Sequence, residues 1–188
     1  SNPEQKGYFG LFRQTDDGAF VSLGLASGIN DTAEGGKRGK GGQNLAFADI
    51  DHDGDPDLLF GARDMGGGRA NLLFENTIGQ DAQWLAISVR GDGKKVHTDA
   101  FGTKVTVRLG DRVIVREKKS SRGTYDSIDG STLLFGLGGA NACVDGKNKA
   151  KVEIRWPDGT IDTFGADAFA RRSYVRATYG EKKLVPTK

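Results

Sequence analysis

The chain has 188 residues, of which 36% are hydrophobic and 28% charged, and a formal net charge of +2. That composition excludes an intrinsically disordered chain, and a charge so near zero gives no ground for a nucleic-acid partner. No apolar run reaches the ~20 residues that a membrane-spanning helix needs, so no membrane insertion is expected. Glycine is the outlier, at 29 residues without a Gly-X-Y period. Scattered glycines predict many tight turns and hence many short strands. Cys143 is the single cysteine and cannot close an internal disulfide. The start at Ser1-Asn2 carries neither Met nor a signal-peptide pattern, and reads as a processing boundary in a longer precursor.

In chain order, residues 7–13 are aromatic-rich and read as a strand, Asp16-Asp17-Gly18 as a hairpin turn, and residues 19–23 as the partner strand. Residues 26–43 read as a long polar loop. Its basic cluster Lys37-Arg38-Gly39-Lys40 reads as a solvated face, as does Lys118-Lys119-Ser120-Ser121-Arg122 further on. Residues 44–48, 58–62 and 71–76 read as strands, with a Gly-rich turn over 65–68. The texture changes near residues 77–83, beyond which the strands alternate more cleanly: 84–89, 104–109, 112–117, 132–137, 151–156 and 161–164. Only residues 167–172 read as a candidate short helix. The fold class expected is all-β, in two units over residues 1–80 and 81–188.

Between two of these strands lies Asp49-Ile50-Asp51-His52-Asp53-Gly54-Asp55-Pro56-Asp57. Near pairs of carboxylates repel by about 1 kcal/mol even in water. Five aspartates within nine residues therefore call for a cation among them. Calcium fits best, as a hard cation that takes several oxygens in flexible geometry. Asp49, Asp51 and Asp53 can curl around it, Gly54 permits the sharp turn, Asp55 offers its carbonyl, and Asp57 closes the site. An EF-hand would need a Glu at the twelfth loop position. Here that position is Phe60, and the flanks are β-runs rather than helices. The ion is thus expected to staple two strands.

Strand, D-x-D-x-D-G-x-x-D, strand resembles the calcium loop of FG-GAP/VCBS repeats, with residues 11–20 similar to the hairpin of a preceding unit and residues 71–76 to the start of a further one. Gly102-Thr103-Lys104-Val105-Thr106-Val107, Gly123-Thr124-Tyr125-Asp126-Ser127, Phe135-Gly136-Leu137-Gly138 and Val152-Glu153-Ile154-Arg155-Trp156-Pro157-Asp158-Gly159-Thr160 resemble, in order, the landmarks of the ASPIC/UnbV domain, which closes proteins of the cartilage-acidic-protein type. The two resemblances imply a partial propeller-like calcium-binding β unit followed by a compact antiparallel β-domain. They also imply a secreted, extracellular or periplasmic setting, and adhesion to or recognition of an extracellular protein or glycan without catalysis. A closed propeller has about four blades or more. The first eighty residues hold strands for little more than one, so the chain is expected to be the carboxy-terminal part of a larger protein.

Other patterns carry less. Arg90-Gly91-Asp92 is the tripeptide that integrins read, and is a candidate partner contact. Residues 34–41 depart from a phosphate loop at both ends, with Glu34 in place of the first Gly and Gly41 in place of Ser or Thr. His52 and His97 lack a second His at zinc spacing. Trp84, Trp156, Tyr125 and Tyr174 supply an alternative reading, a carbohydrate-binding module with exposed aromatics, with core packing the expected role of Trp156. A third reading is the accessory domain of a secreted enzyme.

Overall fold

The computed structural model describes residues 11–15, 17–23, 27, 29, 42–62, 71–78, 81–121, 131–139 and 150–187. The expected strand start at residues 7–10, most of the 26–43 loop with Lys37–Lys40 and the 34–41 motif, the 65–68 turn, the 123–127 landmark with Tyr125, Arg122 and Cys143 lie outside those residues. What is described is all-β, in four sheets, none closed into a barrel.

β1 (Phe12–Gln14) and β2 (Phe20–Ser22) form the first hairpin, with Phe12 opposite Ser22. Its turn places Gly18 at φ 84°, a left-handed conformation that glycine adopts without strain. β3 (Gly42–Ala48), β4 (Asp57–Ala62) and β5 (Leu72–Phe74) form an antiparallel sheet, and the acidic loop is the β3–β4 connection. Both faces of this sheet are apolar. Leu45 lies opposite Phe60 and Phe47 opposite Leu58 on one face, and Leu59 lies opposite Leu73 on the other.

The remaining strands build a sandwich. One sheet runs in the order β11 (Ile161–Phe164), β10 (Lys151–Arg155), β7 (Lys104–Leu109), β8 (Arg112–Glu117). The other runs β13 (Leu184–Thr187), β12 (Ser173–Thr178), β6 (Gln83–Arg90), β9 (Leu133–Gly138). Strict alternation sends Val105 and Val107, Val152 and Ile154, Phe135 and Leu137, and Val175 and Ala177 into one shared core. Apolar burial of this kind contributes about 1.5–3 kcal/mol per large side chain. The outer edges are blunted: β8 mixes exposed Val113 and Val115 with charged neighbours, and β13 carries Pro186.

Three features depart from the sequence expectation. The candidate helix at 167–172 is only a 3-10 turn, Ala166–Ala168, because Gly165 offers no side-chain cap and Arg172 turns left-handed at φ 51°. β12 and β13 are strands that the sequence reading did not assign. The second unit is not purely antiparallel, since β12 pairs with β6 in parallel, Tyr174 beside Ala86.

Trp156 is a core residue, as expected, and is 2% exposed. Its indole Nε1–H donates to Asp162 at 2.7 Å, and the ring of Tyr179 packs edge-on against it at 5.5 Å. Asp162 is itself buried and pairs with the exposed Lys182 ammonium. Asp162→Ala should strip the indole of its acceptor and cost about 1.5–3 kcal/mol in urea unfolding, the range for a bond to a charged group. Asp162→Asn, which keeps an acceptor oxygen, should recover much of it. A cost near zero for the alanine variant would show that the bond contributes nothing net.

Candidate metal centre at the junction of two sheets

The acidic loop is wound on its own backbone. Asp51 accepts from the Asp53 N–H at 3.3 Å and Asp53 accepts from the Asp55 N–H at 3.0 Å, so successive side chains cap the turn ahead. His52 at φ 65° and Gly54 at φ 99° reverse the chain direction. Asp57 is 3% exposed and uses both oxygens as acceptors, from Ile50 N–H at 2.8 Å and from Asn76 N–H at 2.9 Å. It thus ties the loop's first turn to the segment after β5.

Ligand atoms of Asp49, Asp51 and Asp57 lie within 4.8 Å of one another. Among the described residues, the buried side-chain polar atoms without a hydrogen-bond partner are Asp49 Oδ1, Asp53 Oδ2, both oxygens of Asp55, and Trp84 Nε1. All five belong to this junction. Buried carboxylate oxygens without donors are costly, and a hard cation is the partner their chemistry suits. Burial, then repulsion from Asp53, Asp57, Asp51 and Asp49, pushes the Asp55 carboxyl up to about 6. Of the five sequence-expected residues, the structure converges three and leaves Asp53 and Asp55 outside that group. Asp49, Asp51 and Asp57 form the tightest group, Asp53 and Asp55 add unpartnered oxygens, and Asp57 has a second, backbone-clamping duty.

The loop does not stand free. It rests on the outer face of the second sheet, where Trp84, Ala86 and Tyr174 share one side of the parallel β6–β12 pair. The Tyr174 hydroxyl donates to Asp49 Oδ2. Its ring meets His52 edge-on at 5.1 Å and Trp84 at 5.2 Å. Burial, then the bond to Asp49, raises the Tyr174 hydroxyl above the ordinary phenol range. Gly54 packs against the Trp84 indole, with room for no side chain: a Cβ there would sit 2.0 Å from Nε1. Beside this contact opens a cleft of about 1000 Å³, lined by Asp49, His52 and Asp55 from the loop and by Lys104, Arg116 and Lys118 on or next to β7 and β8.

Trp84 and Tyr174 belong to this site, and sequence reasoning did not place them there. The available signal was an aromatic at the even-numbered positions of two strands whose odd-numbered positions face the core. Trp84 is 6% exposed and Trp156 2% exposed, so the exposed aromatic platform required for sugar stacking is not formed by these two residues. Arg90-Gly91-Asp92 ends β6 and begins a tight turn. Gly91 is packed so closely that a Cβ would lie 2.0 Å from the His97 carbonyl oxygen. Asp92 Oδ1 accepts from the N–H groups of Lys94, Lys95 and Val96 at 2.9–3.0 Å, and these bonds, Val96 foremost, hold its carboxyl below the usual range.

No helix among the described residues is long and apolar enough to cross a membrane. No curated protein matches the chain. A solved structure of a candidate cell adhesion protein from Bacteroides uniformis ATCC 8492 is similar over 70% of this chain, at 13% identity and a TM-score of 0.30, and the chain spans 58% of that protein's length. Residues 93–182, from the turn after β6 to the segment after β12, match the family model described as ASPIC and UnbV.

Proposed function

We propose that the chain is a calcium-stabilised extracellular recognition or adhesion module without catalytic activity of its own. The observation that carries the calcium reading is the convergence of Asp49, Asp51 and Asp57, beside buried oxygens of Asp49 and Asp53 that have no hydrogen-bond donor. When bound, calcium would supply the positive charge that lets these carboxylates lie together. Asp49, Asp51, Asp53 and Asp57 are the side chains that would hold it, with Asp55 contributing through its carbonyl. The loop would then be fixed in one shape beside the cleft, whose Lys104, Arg116 and Lys118 offer positive groups to an extracellular protein or glycan.

On the same reading residues 1–80 are an FG-GAP/VCBS-type repeat, and residues 81–188 an ASPIC/UnbV-type domain. The match over residues 93–182 supports the second assignment. The apolar residues on both faces of the β3–β4–β5 sheet support the first. Leu45, Leu59 and Leu73 are 41%, 42% and 56% exposed, as in a blade cut from its neighbours in a larger protein. A secreted or periplasmic setting, where calcium is plentiful, follows from this reading.

A thermal melt tests it. At calcium a hundredfold above its Kd, mass action adds about 2.7 kcal/mol, or roughly 5–10 °C for a chain of this length. Magnesium should give much less, because it demands near-octahedral geometry and keeps its waters. Asp51→Ala combined with Asp53→Ala should lower the melting temperature in calcium and leave it nearly unchanged in excess chelator. Equal losses in both media would overturn the calcium reading.

A further inference from the structure

We infer that Tyr174, on the second sheet, is a positioning residue of the cation site, so that cation occupancy and docking of the loop on that sheet are thermodynamically linked. The inference rests on the calcium reading and deepens it. Asp49 Oδ2 has two donors, the Tyr174 hydroxyl and the Gly54 N–H at 3.0 Å, one from each side of the junction. With Oδ2 held twice, the carboxylate cannot turn, and Oδ1, buried and unpartnered, is the atom left for a cation. Tyr174 is in turn fixed by packing, its ring wedged between His52 of the loop and Trp84 of β6. Residues that orient a metal ligand in this way commonly change metal affinity by about 10–100-fold when removed.

A second observation points to the same face. Trp84 is 6% exposed, and its Nε1–H, unpartnered, lies against Gly54, between Asp53 and Asp55 in the loop. A buried donor is thus presented to a loop with unpartnered acceptors. Tyr174 and Asp49 are 125 positions apart in sequence. The ligand set is therefore preorganised only when the loop is seated on β6 and β12. By linkage, whatever favours the seated loop tightens the cation, and the cation favours the seated loop by the same factor.

The test is calorimetric titration of the full chain with calcium chloride, paired with melts in calcium and in chelator. Tyr174→Phe keeps the ring and removes the hydroxyl, and should raise the calcium Kd about tenfold. Tyr179→Phe is the control, since Tyr179 makes the same kind of bond, to Asp158 at 2.6 Å, away from the loop, and should leave the Kd unchanged. His52→Asn keeps a residue tolerant of the left-handed conformation while removing the ring that steadies Tyr174, and should raise the Kd about threefold. This second variant decides the matter if Tyr174→Phe does not fold. A merely structural hydroxyl would lower the melt equally in calcium and chelator and leave the Kd at its wild-type value. That result, or an unchanged Kd for His52→Asn, overturns the inference while the calcium reading stands. A wild-type chain that takes up no calcium overturns both.

Discussion

Asp57→Ala is expected to cost about 3–5 kcal/mol of folding stability in excess chelator, and more in calcium, where a ligand of the ion is lost as well. The two oxygens of this buried carboxylate accept from the Ile50 and Asn76 N–H groups at 2.8 and 2.9 Å. Hydrogen bonds to a charged acceptor contribute about 1.5–3 kcal/mol each. Their simultaneous loss leaves two backbone donors without partners at the point where the loop, β4 and the chain beyond β5 meet. Asp57→Asn preserves one acceptor and turns an amide N–H₂ toward the other donor, so it should recover less than half. Asp51→Ala is the contrast. Asp51 is exposed and, among the described residues, accepts one long bond of 3.3 Å, so in chelator its loss should be near zero. Chemical denaturation of the three variants in chelator separates the two roles. If Asp57→Ala cost no more than Asp51→Ala there, Asp57 would be a cation ligand and nothing else.

That contrast marks what could be read from the sequence. Alternating aspartates followed by glycine announced an oxygen-rich loop, because few other arrangements tolerate so many like charges. The same spacing cannot tell a residue that meets the ion from one that clamps the backbone, since both uses want a carboxylate in the same place. The sandwich strands β7, β8 and β11 were legible to the residue: β7 and β11 alternate between core and solvent, and β8 is a β-branched run set off from β7 by the Gly110-Asp111 turn. β12 alternates just as well, yet it follows a 3-10 turn and pairs in parallel with a strand more than eighty positions earlier. Local pattern carries no information about such a partner. Tyr174 was hidden for the same reason. Its importance comes from the face that β6 and β12 share, which exists only once the parallel ladder has formed.

Gly54→Ala should be the most damaging single change in the loop for cation binding. Glycine here answers two separate demands. Its φ of 99° lies where other L-residues are strained. Its missing side chain also admits the Trp84 indole, since a Cβ would fall 2.0–2.2 Å from three atoms of that ring. An indole buried in a β-sheet cannot retreat by more than an ångström without opening the packing beneath it. The loop must therefore lift, and in lifting it parts Asp49 from the Tyr174 hydroxyl. Calcium affinity should fall by about a hundredfold, and stability in chelator by about 2–4 kcal/mol from strain and lost contact. The steric part is separable from the backbone part by a double-mutant cycle with Trp84→Leu, which clears space but leaves φ unrelieved. If the clash dominates, the paired variant should be more stable than Gly54→Ala alone. If the two losses simply add, the left-handed turn is the whole reason for the glycine, and the loop's seat on the second sheet is looser than these distances imply.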